Sequence, residues 1–170
     1  GPLRRATGAR RDAGARAGPR DDQRQLHAEP AARRRRARDR EGRFVVEGTR
    51  LVEEATRAGI EPALVFYTAA WAAGPAGQAL LPTLTAAADG AWAVGDAVLA
   101  SCAGTETPQG VLTVLPMPRP APREGLILVV DGVRDPGNLG TLLRTAEAAG
   151  AGLAVLAPGT VDAYNPKAVR

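Results

Sequence analysis

Histidine and cysteine are almost absent from this chain of 170 residues, which has one of each, His27 and Cys102. A lone thiol forms no internal disulfide, and a zinc site built from His and Cys needs more ligands than two. No metal centre is expected, and acid–base chemistry run by histidine is excluded on supply, since His27 lies in an Arg-rich leader. Cys102 sits in an apolar-flanked helical segment and reads as a core thiol. Aromatic residues are equally scarce at 4%. A base-stacking surface is therefore thin, and Trp71 and Trp92 are expected to pack in a core instead. No apolar run approaches the ~18 residues that a membrane span requires, and no signal-type apolar stretch stands near the start. The reading is a cytoplasmic protein that makes no membrane contact.

What is abundant is arginine, and it is unevenly placed. Residues 1–40 carry 13 Arg against 5 acids, a balance of +8, while residues 41–170 carry 9 basic against 13 acidic side chains, a balance of −4. Residues 1–30 have Leu3 and Leu26 as their only large apolar side chains and no periodicity, so a disordered Arg-rich tail is expected. Residues 31–40 continue as a basic helix. Arg33, Arg34, Arg35, Arg36, Arg38 and Arg40 are the candidates there for contact with RNA phosphates, because neutralising phosphates releases counterions and gives affinity without regard to sequence.

Between residues 31 and 116, short apolar runs alternate with helical patterns, as in a small α/β domain. Strands are expected at Phe44–Val46, Ala63–Tyr67, Ala91–Val94 and Gly110–Leu115. Helices are expected at Thr49–Ala58, with Thr49 as its cap, at Gln78–Ala88 with Pro82 in its first turn, and at Asp96–Cys102. Glu47 follows the first strand and precedes Gly48, and Gln109 with Gly110 marks a turn into the last strand, the preferred reading, or a contact with RNA. Residues 117–124, MPRPAPRE, hold three prolines and no apolar pattern, which makes a semi-rigid linker.

The densest signal follows, in LILVVDGVRDPGNLGTLLRTAEAAG at residues 126–150. Leu126–Val130 suits a strand of a parallel sheet buried on both faces. Asn138 is placed to cap a helix whose apolar stripe is Leu139, Leu142, Leu143 and Ala146, and Gly150 stops it. Leu153–Ala157 is the next strand, completing a βαβ unit. The start of such a helix attracts anions. Arg144 lies off the stripe, and because helical side chains lean toward the N-terminus it is expected to reach back and join Arg134 in an anion-binding rim. Read without any relative, Asn138 as a mere cap and Arg144 as a solvated side chain are just as well supported.

The stretch DGVRDPGNLGTLLRTAEAAGA resembles the first motif of the SpoU or TrmH-type RNA 2′-O-ribose methyltransferases, with Asn138 and Arg144 at its Asn and Arg positions. GRFVVEGTRLVEEATRAG, residues 42–59, resembles the opening of that family's substrate-binding domain, whose VEG stretch is a strand-to-helix turn and implies a structural role for Glu47, and TETPQGVLTVLP, residues 105–116, resembles its closing strand. The resemblance implies an α/β fold in which the small RNA-binding α/β domain is followed by a parallel-sheet domain of SPOUT type over residues 125–170. It implies Asn138 and Arg144 as catalytic residues, S-adenosyl-L-methionine as cofactor, transfer or ribosomal RNA as substrate, and a homodimer. The family binds its cofactor in a knotted C-terminal region. Tyr164–Arg170 resembles the start of the second motif, whose Asn165, Lys167 and Arg170 gain functional weight from it; an incomplete catalytic domain without the knot is expected, inactive alone, with no cofactor residue assigned. Two rivals stand beside this reading. One is an RNA-binding module without catalysis, and the other a dinucleotide-binding α/β domain, against which Gly132, Gly137 and Gly140 fail to make GxGxxG.

Overall fold

The computed structural model describes residues 35–170 apart from 104, 106 and 120. Arg33 and Arg34, and the expected tail over residues 1–30, lie outside the described residues. Helix α1 (Arg35–Glu41) leads into strand β1 (Arg43–Glu47) and helix α2 (Thr49–Arg57). Strand β2 (Leu64–Tyr67), helices α3 (Ala69–Ala73) and α4 (Pro75–Ala87), strand β3 (Gly90–Ala93), helix α5 (Asp96–Cys102) and strand β4 (Val111–Pro116) complete a first lobe. The second lobe holds β5 (Ile127–Val130), α6 (Pro136–Ala148), β6 (Leu153–Leu156) and the short α7 (Pro166–Val169).

The first lobe is a four-stranded sheet in the order β1-β4-β2-β3. β4 pairs antiparallel with both β1 and β2, and β2 pairs parallel with β3. Alternation along each strand divides its apolar side chains between two faces. Val45, Leu64, Phe66, Leu112 and Val114 pack with Leu99 and Cys102 of α5 on one side, where Trp92 stacks on Phe66 with ring centroids 5.3 Å apart. Phe44, Val46, Val65, Val111 and Leu115 meet Val52 of α2 and Leu84 of α4 on the other, with Trp71 against them. Cys102 and both tryptophans therefore sit where the sequence puts them. The central strand β4 is buried from Val111 through Leu115, because it has a strand on each edge and helices on each face.

Two helical details differ from expectation. Helix α4 begins at Pro75, in the first-turn position that proline tolerates, so Pro82 falls inside the helix. The five-residue α3 is absent from the sequence reading because AAWAA carries no stripe; Thr68 caps it by accepting from the Trp71 amide at 3.3 Å.

β5 and β6 form a two-stranded parallel sheet, with register Ile127 to Leu153 through Val130 to Leu156. The expectation of a strand buried on both faces fails here. Val130 is buried, but Leu126, Ile127 and Val129 remain 67%, 63% and 64% exposed. Along β5, Leu128 and Val130 turn to the more covered face, while Ile127 and Val129 turn to an open apolar face. The expected stripe on α6 is likewise graded: Leu139 is fully buried whereas Leu142 is exposed.

The two lobes meet through residues 160–170. The Arg38 guanidinium, buried in α1, donates to the Asp162 carboxylate through Nε at 3.1 Å and also through Nη2. Tyr164 lays its ring against Phe44 at 4.9 Å, and its hydroxyl donates to the Pro118 carbonyl at 3.4 Å. Val169 packs with Tyr164 into the α2 and α4 side of the first-lobe core. The described residues of 117–124 have no regular structure but are tied at both ends, by Met117 N–H to the Gly42 carbonyl at 2.7 Å and Arg123 N–H to the Gly152 carbonyl at 3.1 Å.

Candidate RNA-binding cleft

The N-terminal turn of α6 is built by Asp135, not by Asn138. Asp135 is extended, precedes Pro136 at the first helical position, and its Oδ1 accepts from the Asn138 amide at 2.8 Å. Aspartate followed by proline is a known helix-start pair, so the signal was present in the sequence. Asn138 thereby becomes the third helical residue, exposed, with its side chain free of capping duty.

Arg144 does lean one turn back. Its Nη1 donates to the Ala168 carbonyl of α7 at 3.4 Å. Gly140 makes this approach feasible: a Cβ there would stand 2.4 Å from the Ala168 oxygen and 3.1 Å from Arg144 Nη1. The rim expected with Arg134 is not formed, because Arg144 is drawn toward α7 while Arg134 lies exposed in the loop before α6. Arg144 stands six positions after Asn138, which turns them about 120° apart on a helix.

Arg144 faces a cleft of about 650 Å³ that lies between the lobes. Gly140, Glu147 and Arg170 share the second-lobe wall, while Gly48, Arg50 and Gln109 are among the first-lobe residues opposite. Neither Arg134 nor Asn138 lines it. Glu47 closes its floor, nearly buried, with its carboxylate accepting from the Thr105 hydroxyl and lying 3.8 Å from Arg170 Nη2. That supports the structural role read for Glu47.

The basic residues of α1 divide. Arg35, Arg36 and Arg40 are exposed, the first 3.8 Å from Asp39 and the last 2.8 Å from Glu41. Arg38 is a correction: it is buried with Asp162 and holds the lobes together, so in this arrangement it offers nothing to a phosphate. The next turns of α2 repeat the pairing of exposed charges, Arg50 with Glu54 at 3.0 Å and Arg57 with Glu53 at 2.6 Å. Asn165 caps α7 by accepting from the Lys167 amide at 2.9 Å, and Lys167 is exposed. Among the described residues, no group of three or more His, Cys, Asp or Glu side chains is placed to hold a metal, and no helix is long and apolar enough to cross a membrane.

A small α/β lobe is thus joined to a strand–loop–helix–strand unit, and Arg144 of that unit's helix faces the cleft between them. Residues 31–113 match the family described as the MRM3-like substrate binding domain, and residues 125–170 match the SpoU rRNA Methylase family. The chain belongs to the SpoU/TrmH family. It is 33% identical over 138 residues to the 23S rRNA (guanosine(2553)-2′-O)-methyltransferase RlmP of Bacillus subtilis, covering 80% of this chain and 52% of that protein. It is 34% identical to rRNA methyltransferase 3A, mitochondrial, of Danio rerio, covering 89% of this chain and 36% of that one. Among solved structures, the SpoU methyltransferase AviRb of Streptomyces viridochromogenes in complex with AdoMet superposes with a TM-score of 0.75 at 28% identity, covering 86% of this chain and 57% of that one. The rRNA methyltransferase of Sinorhizobium meliloti gives 0.71 at 30%, covering 86% and 56%. The chain thus spans about a third to a half of the length of these curated relatives.

The family's cofactor is S-adenosyl-L-methionine, the ligand of AviRb in that complex. An adenosyl group calls for a concave, largely apolar slot with a few polar anchors. The described residues do not supply one. The interlobe cleft sets three arginines and three glutamates among the apolar Leu51, Leu143 and Val169, a second cleft of about 310 Å³ is shaped by the loop 157–164, and the apolar side chains of β5 lie on an open face. No residue is assigned to the cofactor, and no step is derived through it.

Proposed function

We propose that the gene product carrying this sequence methylates a ribose 2′-hydroxyl of RNA, ribosomal RNA in the first instance, using S-adenosyl-L-methionine. The observation that carries this reading is that Arg144, at the family's motif arginine, faces residues of the substrate-binding lobe across one cleft. The first lobe binds RNA. The exposed Arg35, Arg36 and Arg40 on α1 add affinity that depends on salt, and Arg134 extends the basic surface beside α6. Arg144 stays protonated at any working pH, so it is not a base. With one Nη1 hydrogen bond spent on Ala168, the rest of its planar fork orients a phosphate or ribose and stabilises negative charge developing on a 2′-oxygen. Asn138, exposed on the first turn of α6, is the second catalytic candidate, on a different side of the helix from the cleft.

The rRNA relatives support ribosomal over transfer RNA. The test is methyl transfer from labelled S-adenosyl-L-methionine to deproteinised ribosomal RNA and to transfer RNA by that gene product, with mapping of the modified ribose. Label in ribosomal RNA alone is the expected result. Label on a base, or in neither RNA, overturns the proposal. The homodimer implied by the resemblance belongs to the same proposal and is read by light scattering of the purified protein.

A further inference from the structure

Helix α2 starts without a side-chain cap of its own. Its N-cap is Gly48, at φ +95°, which leaves the first amide of the helix open. Gln109 fills the gap from 60 residues away: its Oε1 accepts from the Thr49 amide at 3.1 Å. The close approach depends on glycine, since a Cβ at Gly48 would stand 2.8 Å from that oxygen. On the other side, Thr68 N–H donates to the Gly110 carbonyl at 2.9 Å and Gly48 N–H to the Val111 carbonyl at 3.0 Å, which fixes the backbone that carries Gln109.

This arrangement decides which way the carboxamide points. The oxygen must face the Thr49 N–H, because the opposite orientation would set donor against donor. The NH2 group is thereby turned away from the helix, and among the described residues it has no partner, while Gln109 lines the interlobe cleft with Arg144. A glutamine elsewhere can present either end to a ligand. Here it presents a donor.

The cleft is also balanced in charge. Arg50, Arg144 and Arg170 face Glu47, Glu54 and Glu147, and Arg50 and Arg170 already lie beside Glu54 and Glu47. Such a wall does not hold RNA by phosphate attraction alone, and discrimination falls to hydrogen bonds. Unstacked bases of single-stranded RNA are read in this way along their exposed edges. We propose that Gln109 determines specificity in the RNA-binding function proposed above: its fixed NH2 group donates to a keto oxygen, guanine O6 or uracil O4, on an unstacked base held in the cleft beside Arg144.

The test is Gln109→Glu. The carboxylate keeps an oxygen against the Thr49 amide, where the positive end of α2 favours it, so the thermal midpoint should hold or rise. The outward group changes from donor to acceptor. A pool of RNA hairpins with a randomised loop is selected separately on the wild-type chain and on the variant, and the selected loops are sequenced. The wild type should enrich G or U at one loop position, and Gln109→Glu should move that preference to A or C, whose amino groups donate to a carboxylate, with about a tenfold change in relative affinity. An unchanged preference, or an equal loss for every loop that fades with added salt, overturns the role of Gln109 while leaving RNA binding intact. Absence of RNA binding by the wild type overturns both.

Discussion

The two sheets of this chain handle the same kind of side chain in opposite ways. In the first lobe, β4 has a neighbour on each edge and helices on both faces, and five consecutive residues are buried. In the second, β5 is an equally apolar run, yet its residues alternate between one covered face and one open to water. Sequence composition does not separate the two strands. Their neighbours do, since burial belongs to the assembly of strands and helices, and a branched apolar run states only what a strand tolerates. The contrast extends to how each lobe is held: the first by its own core, the second by the contacts of residues 160–170 with α1, β1 and residue 118.

Substitutions can break this comparison at its widest point. Phe66→Ala, in the closed core, should cost about 4 kcal/mol in urea unfolding, whereas Ile127→Ala, on the open face, should stay within about 0.5 kcal/mol. Equal costs would mean that the face of β5 is covered in solution. Asp162→Ala comes next. It removes one carboxylate partner from a buried guanidinium, and a loss of about 3 kcal/mol is expected, with faster proteolytic cutting in residues 117–124 as the lobes part; unchanged cutting would show that other contacts hold them. Arg144→Ala, in the gene product tested for methyl transfer, should lower the rate at least about tenfold, or ~1.4 kcal/mol, with little change in thermal midpoint. Arg144→Lys separates a point charge from a planar fork, and near-normal turnover in the lysine variant would favour the former.

The smallest effect is a matter of pH. Burial, and then the Asp162 charge beside it, hold the Tyr164 phenol above its ordinary pKa of 10.0. Unfolding releases both constraints, so the unfolded phenol ionises at lower pH than the folded one. The stabilisation is full below the unfolded pKa and is lost as pH rises through the raised folded value. Tyr164→Phe should therefore flatten the fall in thermal midpoint above about pH 10. A fall of the same steepness in the variant would assign it to other groups.

Most of the element pattern was legible because it rests on local signals. Short apolar runs located the six strands of the described residues to within a residue or two, and Asp96–Cys102 matches its expected helix. What failed was decided at longer range or by a competing local rule. Asn138 lost the cap to Asp135, because a proline at the first helical position moves the helix start three residues upstream. Thr49 lost its cap role to a glycine served by Gln109, a partner that no local pattern reveals. Arg38 has the same sequence surroundings as its arginine neighbours, and a partner 124 residues on, Asp162, sets it apart. Arg144 was correctly read as leaning backward and wrongly paired with Arg134, since α7 offers a carbonyl that sequence spacing does not place.

Gly140 ties these contacts into one mechanical path. Helix α7 rests on α6 at this glycine, while Val169 of the same helix is seated in the first-lobe core. A single methyl group at residue 140 would press on the Ala168 carbonyl, the acceptor of Arg144, and on a helix wedged between two lobes. It would be transmitted both ways, as an altered pose of Arg144 on one side and a shifted Val169 on the other. The hydrogen atom that glycine keeps there acts as a spacer of fixed gauge, and the width of the cleft is set by the smallest side chain in it.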